Sequence, residues 1–126
     1  MGDTASAVDL IRAQPRENQI YVLYHLPMEF GERIMALMKE RVHGDDVEQA
    51  RDLGALQGYA NILSGDLERP YSPSFIGVYK RCHAITDAME ASLAQYPALP
   101  IDLRCRLQIM REILSDYINE PSLPDD

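Results

Sequence analysis

Tryptophan is absent from this 126-residue chain, and phenylalanine and cysteine occur only twice each. Two cysteines as far apart as Cys82 and Cys105 make no secreted disulfide framework, so reduced thiols are expected. Basic residues are the scarcer charge, twelve against twenty acidic, for a formal net charge of -8. That balance disfavours the phosphate contacts on which DNA and RNA binding rests, and it disfavours anionic membrane surfaces. No apolar run approaches the roughly 20 residues of a membrane-spanning helix. Met1 to Ala7 lacks the basic and then apolar layout of a secretory leader, so a cytoplasmic placement is expected. Catalytic signatures are missing too: there is no Gly-x-Ser-x-Gly elbow and no phosphate-cradling glycine loop.

The residues that are present describe one helical domain over 1–126, with 1–3 and 121–126 as frayed tails. The chain is 46% hydrophobic and 25% charged, ordinary values for a globular domain long enough to bury its own core. Val8 with Leu10 or Ile11 gives Thr4 to Ala13 one apolar side, stopped before Pro15. Pro15 then opens a second segment that runs to Leu26 and ends at Pro27. Within it, Ile20 to Tyr24 is β-prone as well as helix-compatible; helix is preferred because no other segment offers a partner strand. From Met28 to Val42, Phe30, Ile34, Leu37 and Met38 repeat at threes and fours, and His43-Gly44 closes that helix.

Asp45 or Asp46 caps the next helix, whose Leu53, Leu56, Ala60 and Leu63 form a large-residue face. Ala50, Gly54 and Gly58 recur every fourth residue on another side. Each glycine costs roughly 1 kcal/mol of helix propensity relative to alanine, so this small-residue face is expected to admit a neighbouring backbone unusually closely. A helix buried on both sides would be the centre of the bundle, ending at Ser64-Gly65-Asp66. Ser72-Pro73 starts a long helix to about Gln95 with Phe75, Val78, Cys82, Ile85, Met89 and Tyr96 in near-heptad spacing. After the turn at Tyr96 to Pro100, Leu103, Leu107, Met110, Leu114 and Tyr117 mark a last helix that folds back on it. The expected fold is therefore all-α, a single bundle of five or six helices with a central Gly/Ala-containing helix and a C-terminal antiparallel helical hairpin.

Three constellations carry any chemistry. In the hairpin register Cys82 lies level with about Leu114 and Cys105 with about Ser92, an offset of about 15 Å at 1.5 Å per residue. That distance separates Cys82 and His83 from Cys105 as metal ligands or redox partners, so no metal and no cofactor are expected. His83 is expected to pair with Asp87. Glu29 with Glu32 and Asp45 with Glu48 repeat the i, i+3 carboxylate spacing by which all-α nucleotide pyrophosphatases hold magnesium, although the second pair sits where helix capping already calls for acids. Lys80-Arg81 and the set Arg104, Arg106 and Arg111 are the basic clusters, read as a solvated face with Glu112 and Asp116 as available partners.

Seven tyrosines make tyrosine the main aromatic residue, and its ring can pack while its hydroxyl stays wet, as interfaces require. Tyr21, Tyr24, Tyr59 and Tyr71 are the candidate partner-binding residues. His25, bracketed by Tyr24 and Leu26, reads as a packed histidine. By elimination the expected function is a non-enzymatic protein-protein interaction module: an adaptor, an assembly subunit or an inhibitor that occupies a partner's surface. Small accessory proteins of bacteriophages and mobile elements share this size, charge and helical content, an analogy of type only. Two alternatives stand beside it: a homo-oligomeric structural subunit with the Ala50-Gly54-Gly58 face as its seam, and a magnesium-dependent nucleotide pyrophosphatase.

Overall fold

The computed structural model describes residues 2–41, 47–68, 76–97 and 99–119, with side chains for 5–40, 49–68, 76–97 and 99–119. Among these residues every regular element is a helix: α1 (Gly2–Arg12), α2 (Arg16–Arg41), α3 (Val47–Leu67), α4 (Ile76–Ala94) and α5 (Ile101–Ile118). The β-prone run Ile20 to Tyr24 is helical. Its apolar residues have a helical core to enter, and burial outweighs intrinsic strand preference.

Pro27 does not end a helix; it lies inside α2, which continues for 26 residues. Proline cannot donate to the carbonyl four residues back, so the helix forgoes the bond that would reach Leu23. The loss is tolerated because Leu23, Leu26, Phe30, Ile34 and Leu37 form one unbroken buried stripe across the proline. Breaking the helix there would expose half of it. Pro15 stands immediately before α2 rather than at its first position, its carbonyl accepting from the Gln19 backbone N–H at 3.1 Å. Helix α3 likewise runs past Ser64-Gly65-Asp66 to Leu67, whose side chain is buried. His43-Gly44, Asp45, Asp46, Ser72-Pro73 and Phe75 lie outside the described residues.

The bundle closes as a ring in which α2 borders α3, α3 borders α4, α4 borders α5 and α5 borders α2, with α1 laid against α5 and α2. The expected centre was α3, but among the described residues α3 touches only α2 and α4, whereas α2 touches three helices. Leu53, Leu56, Ala60 and Leu63 are buried as their spacing implied. The small-residue face is not: Ala50 and Gly58 are exposed, and a Cβ built on Gly54 or Gly58 meets nothing within 4 Å. Among Gly31, Gly54, Gly58, Gly65 and Gly77, it is Gly31 of α2 that faces a neighbouring helix, at ordinary contact distance. A Cβ there would stand 3.5 Å from the Ala60 Cβ and 4.0 Å from Asn61 Oδ1.

Between α4 and α5, Arg104 reaches the Leu93 carbonyl, Arg111 reaches Asp87, His83 meets Ser115, and the Tyr79 ring meets that of Tyr117 at a tilt with centroids 5.5 Å apart. One residue number falls as the other rises across these four contacts. All five spaced residues of α5 are buried, while the α4 seam is Tyr79, Cys82, Thr86, Met89 and Leu93. Val78, Ile85 and Tyr96 are only half-buried, beside that seam.

Candidate functional site

The basic residues are largely consumed in holding helices together. Arg12 grips Asp116 through two bonds of 2.7 and 3.0 Å and lies 3.6 Å from Glu112, tying α1 to α5. That hydrogen-bonded carboxylate raises the Arg12 pKa above its usual value. Arg106 bonds Glu29 at 2.8 Å, and Arg33 and Asp102 approach to 3.6 Å, fastening α5 to one flank of α2. Arg81 pairs with Asp66, and Arg111 with Asp87 and Glu90.

Arg104 donates to the carbonyls of Leu93, Tyr96 and Leu99, placing positive charge at the C-terminal end of α4. The arginines expected on a solvated face are thus structural. Asp87 is taken by Arg111, so His83 turns instead to the Ser115 hydroxyl at 3.2 Å.

The two candidate carboxylate pairs are placed only in part. Glu29 is engaged by Arg106, Glu32 is exposed, and Asp45 and the Glu48 side chain lie outside the described residues. Among the described residues no group of three or more His, Cys, Asp or Glu side chains is close enough to share a metal ion. Cys82 is buried, and burial first, then the Asp66 charge, pushes its thiol up to about 12. Cys105 is half-buried, and neither forms a disulfide. The same residues include no helix long and apolar enough to cross a membrane.

The tyrosines divide. Tyr21 is 65% exposed, and its ring lies 4.2 Å, centroid to centroid, from that of His25. Tyr24 meets the His25 ring edge-on at 5.1 Å. The histidine therefore braces both rings on one surface. Tyr59 is half-buried against the core. It lies about 200° around α3 from Gln57 at 3.6 residues per turn, on the flank where Asp52 accepts from the Tyr96 hydroxyl and Asp66 pairs with Arg81. It does not join Tyr21 and Tyr24. Tyr71 lies outside the described residues, and Tyr79 and Tyr117 are core.

What accompanies Tyr21 and Tyr24 is a groove that sequence reasoning did not find. Tyr24, Met28, Glu32 and Met35 line it from α2, and Gln57, Asn61 and Ser64 from α3, over an open volume of about 270 Å³. Gly31, which is buried, lines it as well. Tyr21, Met28 and Met35 follow one another at intervals of seven along α2, a spacing that drifts only about 20° per heptad. They form one rail. Met35 is 44% exposed, and Ile62 on the outer side of α3 is 49% exposed. A larger recess of about 640 Å³, between Arg12, Arg16, Gln19 and Asp116, is polar and already crossed by the Arg12 to Asp116 bonds. Comparison with protein-family models, with curated proteins and with solved structures returned no match.

Proposed function

We propose that this chain is a protein-protein interaction module whose binding surface is the Tyr21-Met28-Met35 rail of α2 and the groove beside it. The observation that carries this reading is the exposure of Tyr21 and Met35 on an element whose opposite stripe is fully buried. Large apolar side chains left at a groove edge on a rigid helix are what an interface uses as anchors. Tyrosine offers a large ring at low entropic cost, and methionine adapts to irregular partners. Helix α5 acts as scaffold: its ion pairs to Glu29 and Arg33 hold α2 on one flank, away from the groove that α2 forms with α3. The earlier partner-binding set narrows to Tyr21 and Tyr24, with Met28 and Met35 added.

A non-enzymatic role agrees with the use of Glu29 in an ion pair, which removes one of the four carboxylates the pyrophosphatase alternative needs. The homo-oligomer alternative shifts from a tight helix seam to the open face that carries Gly58 and Ile62.

The test is site-directed photo-crosslinking in the native host, with the probe at Tyr21 and, as control, at Ile101, which is 67% exposed on α5. Adducts from the Tyr21 probe, absent with the Ile101 probe, support the reading. Adducts only from the Ile101 probe contradict it.

A further inference from the structure

Resting on that reading, we infer that the groove between α2 and α3 takes a basic amphipathic helix of a partner protein, about four turns long. The geometry comes first. Tyr21 and Met35 are 14 residues apart on a continuous helix, which is about 21 Å at 1.5 Å per residue. Gln57, Asn61 and Ser64 line the opposite side at intervals of four and three. Two helices that present spaced side chains along a shared open seam leave the position of a third helix, whose own residues at i, i+3, i+4 and i+7 would enter it. An extended strand finds no complement there, because a helical pair offers it no free backbone edge.

Charge selects the chemistry of that helix. The carboxylates of Glu29, Asp66, Asp87, Glu90, Asp102 and Asp116 are each within 4 Å of an arginine. Glu17 and Glu32, on the rail itself, are exposed. Glu68, four residues beyond Ser64 and just past the end of α3, is exposed as well. Among the described residues, Lys39 is the single exposed cation in the rail's continuation. Among the described residues these four make the groove margin acidic by three charges to one, on a chain that is already at -8. Lysine or arginine flanking the apolar seam of the incoming helix would answer Glu17, Glu32 and Glu68, speed its capture and set its direction. The same surplus disfavours an acidic helix and a second copy of this chain.

The test uses two designed 18-residue peptides with an identical leucine seam, one flanked by lysines and one by glutamates, read by fluorescence anisotropy and circular dichroism against the full chain. The lysine peptide is expected to bind at least tenfold more tightly and to gain helix on binding. Glu17→Lys combined with Glu32→Lys should close or invert that gap. Tyr21→Asp with Met35→Asp, at positions exposed enough to leave the melting temperature in place, should abolish binding.

Equal affinity for both peptides, or a gap indifferent to Glu17 and Glu32, overturns the inference. So does binding that survives Tyr21→Asp with Met35→Asp, or a dimer in sedimentation that those changes dissolve, since a second copy would then own the groove. A native partner that crosslinks to Tyr21 but docks through a loop or an acidic segment would overturn this inference and leave the interaction reading intact.

Discussion

Gly31 and Gly58 are chemically the same residue in two helices, yet they stand in opposite surroundings. At Gly58 a methyl group enters open space, so Gly58→Ala should stabilise by about 1 kcal/mol of helix propensity. At Gly31 a Cβ lands at ordinary contact distance from Ala60, so alanine is expected to fit. Leucine there must push α3 away, and Gly31→Leu should cost about 1–3 kcal/mol by overpacking; chemical denaturation of the three variants checks the order. The thiols give a second residue-scale outcome. Near pH 8, alkylation of the native protein should modify Cys105 and spare Cys82, which reacts only after unfolding.

The same burial makes stability depend on alkaline pH. Cys82 titrates at about 12 when folded, against an ordinary value of 9.0. Below the lower value both states hold the proton and its contribution is complete. As pH rises from there toward 12 the unfolded chain releases a proton that the native one keeps, so stability is lost at up to about 1.4 kcal/mol per pH unit. In Cys82→Ala that part of the alkaline slope should vanish.

At the scale of elements, Pro27 decides how α2 is read. Proline inside a helix costs about 3 kcal/mol relative to alanine, but it also restricts the unfolded chain and here fills buried space, so Pro27→Ala should raise stability by only about 1 kcal/mol. An unchanged or lower unfolding midpoint would show that the packing of the ring outweighs the missing hydrogen bond. The faces of α5 and the large-residue face of α3 were legible because their threes and fours are uninterrupted. The groove was not legible. Once Pro27 is taken as a helix end, Tyr21 falls in one element and Met28 and Met35 in another, and no common face exists for them. Only a helix continuous through the proline aligns the three. Gly54 and Gly58 misled for a related reason: helix spacing tells which residues share a face, but not whether that face meets a neighbour or solvent. Arg104 and Arg111 were likewise invisible as braces, because their partners are fixed by the meeting of α4 with α5.

For the molecule as a whole, an acidic chain in which Arg12, Arg33, Arg81, Arg104, Arg106 and Arg111 are spent on internal bonds keeps Glu17, Glu32 and Glu68 on the outside. Association with a partner should therefore slow as salt rises, since exposed charges are screened over about 8 Å at physiological ionic strength, while the tyrosine and methionine contacts govern how long the complex lasts. These two dependences belong to different residues and can be separated. The measurement that bears most directly on the central claim is the dissociation rate of the partner captured at Tyr21, compared between the parent and a Tyr21→Ala, Tyr24→Ala, Met35→Ala variant of unchanged fold. The account predicts a rise of at least tenfold in the off-rate with little change in its salt dependence. An off-rate equal to the parent's would contradict it and move the interface away from the α2 and α3 groove.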